Sequence, residues 1–166
     1  MGGQAVHYLV FSQAPSARLD AAALLVHARR HFAAELEVLG EDPPGASARA
    51  TFDGDRHALW VRWSHPRRGL SAELEVRSRP AAPDDLERAR AAEVRGKAAG
   101  MAALAARCRF VWEVVPAGQA DERALLGLCG LLASVALGPV LPPDGATLFG
   151  VRGAMERSDR SGSLER

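Results

Sequence analysis

The spacing of apolar and polar residues changes several times along the chain, and each change predicts an element. Ala5 to Ser12 is a compact apolar run, which is typical of a buried strand. Leu70 to Arg77 alternates apolar and polar residues with a period of two, which predicts a strand with one buried face and one wet face. Arg109 to Val115 is apolar on both faces, so we expect this strand to lie in the centre of a sheet.

Three further segments are predicted to be helices: 17–34, 83–107 and 121–137. Ser16 can cap the first helix by accepting a hydrogen bond from a backbone N–H group. Pro83 suits a first helical turn, and the aspartates that follow it complement the positive end of the helix dipole. Gly96 and Gly100 weaken the middle of this helix by about 1 kcal/mol each relative to alanine.

The remaining predicted strands are 35–39, 46–52, 56–64 and a short one at Val140 or 147–149. Asp53–Gly54 is a strong hairpin signal between two of them. Together the elements predict an α+β fold with a mixed, largely antiparallel sheet and three helices mainly on one face. The predicted order is βαβ-βββ-αβα, with a possible final strand. We expect residues 1–150 to form a single domain and the charged, Ser- and Gly-rich residues 151–166 to be disordered.

Composition narrows the class of protein without identifying it. The length of 166 residues suits one domain. The 21 basic residues against 20 acidic ones leave a net charge of +1, which argues against a nucleic-acid partner. Cys108 and Cys129 lie in apolar surroundings without metal-binding spacing. We expect two reduced, buried thiols, with a disulfide as the alternative, and neither a cofactor nor a bound metal.

One segment is long and apolar enough to raise the question of a membrane. Ala124 to Leu141 is almost uncharged, but three glycines and Pro139 interrupt it, so we expect a buried core helix there. The amino-terminal residues resemble no export signal. We therefore expect a cytoplasmic protein with no membrane contact.

The order of elements and two stretches of sequence resemble one bacterial family of unknown function. Its members carry a Pro-Ala-Pro-Ile-Pro-like motif before a central helix, and the matching run here is 80–87, beginning Pro80–Ala81–Ala82–Pro83. The second half, 110–114 with 124–136 and 138–140, is also similar. The resemblance implies the fold but no catalytic residue, because the family has no established activity.

The residues that could perform catalysis are scattered along the sequence. His27 and His31 have the i, i+4 spacing that lets two imidazoles meet one metal, but Arg29 and Arg30 lie between them and no third ligand is evident. Cys108 lies between Arg107 and Arg109, which could lower its pKa. An enzyme or small-ligand protein with a dispersed site would draw on the following residues: His27, His31, His65, Cys108 and Glu113.

The most suggestive cluster runs from Trp60 to Arg68. Trp60 and Arg62 share one face of a predicted strand, opposite Val61 and Trp63. If Trp63 faces the core, then Trp60 and Arg62 face outward, and exposed Trp and Arg are the residue types that dominate protein–protein contacts. The alternatives are that a helix covers Trp60 or that the cluster holds a small anion or a base. The candidate binding residues are Trp60, Arg62, His65, Arg67 and Arg68.

These observations favour a non-catalytic protein-binding module, such as an accessory, adaptor or immunity-type protein of a bacterial system. Two alternatives remain: the enzyme or small-ligand protein with a dispersed site, and a structural subunit of a larger assembly. In the last case the chain would oligomerise through the apolar helix 121–137 or through an edge strand.

Overall fold

A computed structural model of the protein describes residues 7–40 and 55–161. The strands are β1 (Tyr8–Ser12), β2 (Glu35–Gly40), β3 (His57–His65), β4 (Leu70–Pro80), β5 (Phe110–Pro116) and β6 (Val140–Leu141). The helices are α1 (Ala21–Phe32), α2 (Pro83–Gly96), α3 (Met101–Ala106), α4 (Glu122–Ala136) and α5 (Val151–Ser161), and a 3-10 turn, Pro66–Arg68, joins β3 to β4. The fold is α+β, as predicted, whereas the predicted strand 46–52 lies outside the described residues.

The six strands form one sheet in the order β2-β3-β4-β5-β1-β6, and every pairing between them is antiparallel. The prediction of a mixed sheet is therefore wrong for the strands described. Consecutive strands β2, β3 and β4 form a meander, and β1 inserts between β5 and β6, so that each of its neighbours runs opposite to it. The apolar strand β5 lies between β4 and β1, which confirms the expectation that it is central.

One face of the sheet carries the main core, under α1, α4 and α5. Leu59, Val61 and Trp63 point into it from β3 and are almost fully buried. A Cβ atom at Gly127 would lie 2.7 Å from the ring of Trp63, so glycine at this position lets α4 pack directly against the indole. The helix α4 is buried nearly all round within this chain, which accounts for its apolar character without a partner.

The opposite face carries a smaller core under α2 and α3. Leu9, Phe11 and Val111 on β1 and β5 pack there against alanines that include Ala89 and Ala92 of α2. Alanine at spacings of three residues lets the helix lie close to the sheet. Helices thus cover both faces, and the prediction that they lie mainly on one face is wrong.

The predicted helix 83–107 is two helices, and with α5 the described residues contain five helices rather than three. A Cβ atom at Gly96 would overlap the side chain of Thr147, which explains the glycine at the end of α2. The next residue, Lys97, adopts the left-handed conformation with φ 53°, and Gly100 has φ +88°. Two residues with positive φ so close together end one helix and redirect the chain into the next.

Residues 151–161 form α5, which corrects the prediction of a disordered tail for this part of the segment; residues 162–166 lie outside the described ranges. Ala154 and Ser158 are fully buried one turn apart and pack toward α4. The hydroxyl of Ser158 donates to the carbonyl of Arg123 at 3.0 Å and accepts from the guanidinium of Arg68 at 3.1 Å. These contacts secure a helix whose outer surface is strongly charged.

Two smaller expectations about helices have clear outcomes. Asp20, not Ser16, caps α1 by accepting a 3.0 Å hydrogen bond from the Ala23 amide, and the helix begins four residues later than predicted. Ser16 instead accepts a bond from Arg18 in the preceding turn. Across the described ranges, each helix is either too short or too polar to cross a membrane.

Candidate functional site

Within residues 7–40 and 55–161, helices cover only half of the width of the sheet face that carries α2 and α3. These helices pack on β5, β1 and β6, and no helix of the described residues packs over the same face of β2, β3 and β4. We call this second part the open half-face. Its side chains are Glu35 and Glu37 of β2, Ala58, Trp60, Arg62 and Ser64 of β3, and Ser71, Glu73, Glu75 and Arg77 of β4.

Arg62 lies at the centre of the open half-face and bridges two neighbouring strands. Its guanidinium donates to Glu37 at 2.9 Å and to Glu73 at 2.7 Å. Glu37 and Glu73 are its direct partners in the strand register, so the pleat itself places the three groups in a row. These carboxylates raise the pKa of Arg62, chiefly through the hydrogen bond to Glu73.

Trp60 lies beside this row, two residues before Arg62 on β3, and is half-buried. Its register partner on β4 is Glu75. The carboxylate of Glu75 is buried and accepts a 2.8 Å hydrogen bond from the guanidinium of Arg77. The indole Nε1 of Trp60 is shielded from solvent and has no hydrogen-bond partner in the described part of the chain. The indole ring of Trp60 therefore lies among ion pairs rather than in either hydrophobic core.

A polar cavity of about 660 Å³ lies where the open half-face meets the amino-terminal end of α2. Arg56, Arg77, Arg79 and Arg88 line it together with Asp84, Asp85 and Glu113, and His7 and Leu9 complete its wall on the β1 side. Its residues come from β1, the segment before β3, β4, α2 and β5. No motif joins positions that are so far apart in sequence, which is why the sequence does not predict the cavity.

Arg79 organises the wall of this cavity. It binds Asp85 through two nitrogens, at 2.7 and 3.0 Å, and Glu113 through Nε at 2.6 Å. Burial disfavours the charged form of Asp85, but hydrogen bonds from Arg79 and from the Ala82 amide outweigh it and hold the Asp85 pKa below its ordinary value. Asp85 therefore both caps α2 and anchors Arg79.

The structure divides the candidate binding residues predicted from the sequence. Trp60 and Arg62 share the open half-face, as the alternation predicts. His65 lies on the other face of β3, at a ring-centroid distance of 6.2 Å from Trp63. Arg67 is exposed on the 3-10 turn, and Arg68 turns to α5, where it binds Ser158 and pairs with Asp159 at 3.3 Å. The five residues therefore do not form one surface.

The residues of the dispersed-site alternative are not brought together either. The rings of His27 and His31 lie 5.3 Å apart on α1, and no group of three or more potential metal ligands occurs within residues 7–40 and 55–161. Cys108 is buried under α3, and burial raises the pKa of its thiol to about 11. The flanking arginines do not lower this pKa, because desolvation dominates, and both cysteines are free and buried, as expected. Of the five residues, Glu113 alone lines the polar cavity.

A second, less polar cavity of about 330 Å³ lies on the other side of His7. Within it Tyr8 donates a hydrogen bond to the carboxylate of Glu122. Burial, together with this carboxylate, raises the pKa of Tyr8 far above its ordinary value, so the phenol stays protonated. The sequence carries no signal for this pair, since 114 residues separate its members.

Known proteins supply no assignment for either cavity or for the open half-face: no family model, curated protein or solved structure matches the chain. The resemblance to the family with the Pro-Ala-Pro-Ile-Pro-like motif therefore stays a prediction.

Proposed function

We propose that the protein is a non-catalytic protein-binding module that docks its partner on the open half-face of the sheet. In this proposal it acts as a cytoplasmic accessory, adaptor or immunity-type protein of a bacterial system. The observation that carries the proposal is the position of Trp60, which is held half-buried among ion pairs on a face that no described helix covers.

The chemistry of the surface supports a protein partner. A face that only needs to stay soluble is served by charged and small polar residues, and a tryptophan there exposes apolar area to water. Trp and Arg are enriched among residues that contribute most to binding energy, especially where surrounding groups exclude water. Arg62 and the ion pairs around it form such a surround for Trp60.

The charge of the surface indicates which kind of partner it fits. The open half-face carries four carboxylates, Glu35, Glu37, Glu73 and Glu75, against the two guanidinium groups of Arg62 and Arg77, which gives a local net charge of −2. The whole chain, in contrast, has a net charge of +1. We therefore propose a partner surface with lysine or arginine side chains around an apolar pocket for Trp60. Such complementarity accelerates association and weakens as salt increases.

The test is quantitative affinity capture from an extract of the native host, with mass spectrometry of the bound proteins. The bait is the full chain, compared with Trp60→Ala and with Glu37→Lys/Glu73→Lys. The amount of a captured partner that binds this surface should fall at least tenfold with each of the two variants, and moderate salt should release that partner from the wild-type chain.

Arg67→Ala serves as the matched control, because Arg67 is exposed but lies outside the open half-face. It should retain the partner at the wild-type level. If every protein captured by the wild-type chain is captured equally by Trp60→Ala, the open half-face is not the docking surface and the proposal fails.

A further inference from the structure

The polar cavity holds arginines that the fold does not use, and we propose that it is a binding site for a small molecule, which it holds through a phosphate or carboxylate group. This inference is independent of the protein partner proposed for the open half-face. It depends on which of the lining charges already have partners and which do not.

Arg79 is the structural member of the set. Two carboxylates bind it, and its Nη1 also donates to the carbonyl of Pro80 at 3.2 Å. With four of its five N–H donors occupied and its side chain only 21% exposed, Arg79 fixes the cavity wall and has little capacity left for a ligand. Asp85 and Glu113 are occupied in the same way, because both bind Arg79.

Three arginines remain available. Arg77 uses one nitrogen to bind Glu75 and is half exposed, so its other donors are open. Arg56 and Arg88 form no hydrogen bond and no salt bridge within the part of the chain that the structure describes; Arg88 acts on Asp85 only through space, as one of the charges that lower its pKa. The described lining therefore presents donors from three guanidinium groups, and within that lining Asp84 is the one carboxylate outside the Arg79 cluster.

Guanidinium groups with open donors suit phosphate and carboxylate oxygens in particular. Arginine presents its N–H groups in a planar fork that matches both anions, and such charge-assisted bonds are stronger than neutral ones. The volume of about 660 Å³ lies within the range of small-molecule sites. The amino-terminal end of α2 also borders the cavity, but Asp84 and Asp85 already complement its dipole, so the inference depends on the arginines.

The experiment is a calorimetric titration of the full chain at low ionic strength, with inorganic phosphate and, separately, with citrate as the titrant. We expect saturable binding of at least one anion, and the tighter of the two identifies the preferred group. Arg56→Gln/Arg88→Gln should weaken this binding at least tenfold. Arg88→Lys, which keeps the charge but removes the planar fork, should weaken it by a smaller factor.

Arg90→Gln is the matched control, because Arg90 is exposed on the same helix but does not line the cavity. It should change the affinity less than twofold. The ring resonances of His7, which lies in the cavity wall, should shift during the titration while those of the exposed His31 stay in place. Circular dichroism verifies that each variant is folded.

Two results overturn the inference: saturable binding of neither anion, or equal loss of binding in Arg90→Gln and in the double variant. The outcome is separable from that of the partner experiment. Trp60→Ala should bind the anion normally, and Arg56→Gln/Arg88→Gln should capture the protein partner normally.

Discussion

The two halves of one sheet face use the same alternation of residues for opposite purposes. Over β5 and β1, the apolar side chains that point to this face include Val111, Leu9 and Phe11, and they pack in the core under α2 and α3. Over β2, β3 and β4, the equivalent positions are occupied mainly by charged residues, with Arg62 between Glu37 and Glu73. The difference shows that period-two alternation identifies a face but not whether a helix will cover it.

The boundary between the halves lies on β4 and β5, where the side chains are neither in a hydrophobic core nor fully exposed to solvent. Arg79 and Glu113 lie there, both about one-fifth exposed, together with the nearly buried Asp85. Charges in this position need partners more than the exposed side chains of Arg62, Glu37 and Glu73 in the open half do, because less water is available to solvate them. The polar cavity forms at this boundary.

The largest expected effect comes from truncation in the covered half. Phe11→Ala should lower the free energy of unfolding by about 3–5 kcal/mol, because Phe11 is fully buried between the sheet and its helices. Urea denaturation at neutral pH measures the change. The matched variant in the open half is Glu73→Ala, which should have a much smaller effect because its side chain is half exposed. Equal losses in the two variants would contradict the division of this face into two halves.

A substitution at the boundary should cause an intermediate loss of unfolding free energy. Arg79→Leu removes the guanidinium that binds both Asp85 and Glu113 and leaves Asp85, whose side chain is only 6% exposed, without its main counter-charge. We expect a loss of about 2–3 kcal/mol, below the usual cost of breaking a fully buried pair because Arg79 retains some solvent contact. Arg62→Leu is the control, since Arg62 and both carboxylates that it binds are at least two-fifths exposed. A loss no larger for Arg79→Leu than for Arg62→Leu would show that the boundary behaves like the open half.

The same boundary should make the stability of the fold decrease at low pH. The folded-state pKa of Asp85 is lowered, so its contribution is complete above its ordinary value of 3.8 and is lost as the pH falls through the lower, folded-state value. Thermal unfolding between pH 6 and pH 2 should therefore show a steeper acid loss for the wild-type chain than for Asp85→Asn. Parallel curves for the two proteins would mean that Asp85 is not stabilised in its charged form.

The smallest effect on stability is expected at the centre of the open half. Arg62→Ala should leave the denaturation midpoint unchanged, because ion pairs between exposed groups contribute little to folding. The same variant should lose the captured partner. A clear drop in the denaturation midpoint would instead assign Arg62 to the fold and would remove it from the docking surface.

The sequence predicts most of the elements but few of the contacts between distant segments. The alternation along β3 correctly places Trp60 and Arg62 on one face, and the apolar character of β5 correctly predicts a central strand. The α5 stripe of Val151, Ala154, Met155 and Ser158 is present in the sequence, but the density of charged and serine residues around it is equally typical of disorder.

What the sequence could not supply depends on neighbours that are far away along the chain. The break after α2 is explained by Thr147, about fifty residues later, and the capture of Arg68 by Ser158 removes it from the predicted cluster. The polar cavity requires five separate segments to converge. Each residue taken alone is an ordinary surface arginine or carboxylate, so no local pattern marks the site.

At the ends of α2 and α4, the residue in the left-handed conformation is not glycine, although a glycine lies directly beside it. Lys97 and Leu137 adopt φ of 53° and 58°, a conformation that costs a side-chain-bearing residue about 1 kcal/mol. The glycine beside each of them, Gly96 or Gly138, is already required for close approach, to Thr147 in one case and to the Phe11 backbone in the other. An engineer who seeks a more heat-resistant form should therefore add glycine at 97 and 137 and leave both existing glycines in place.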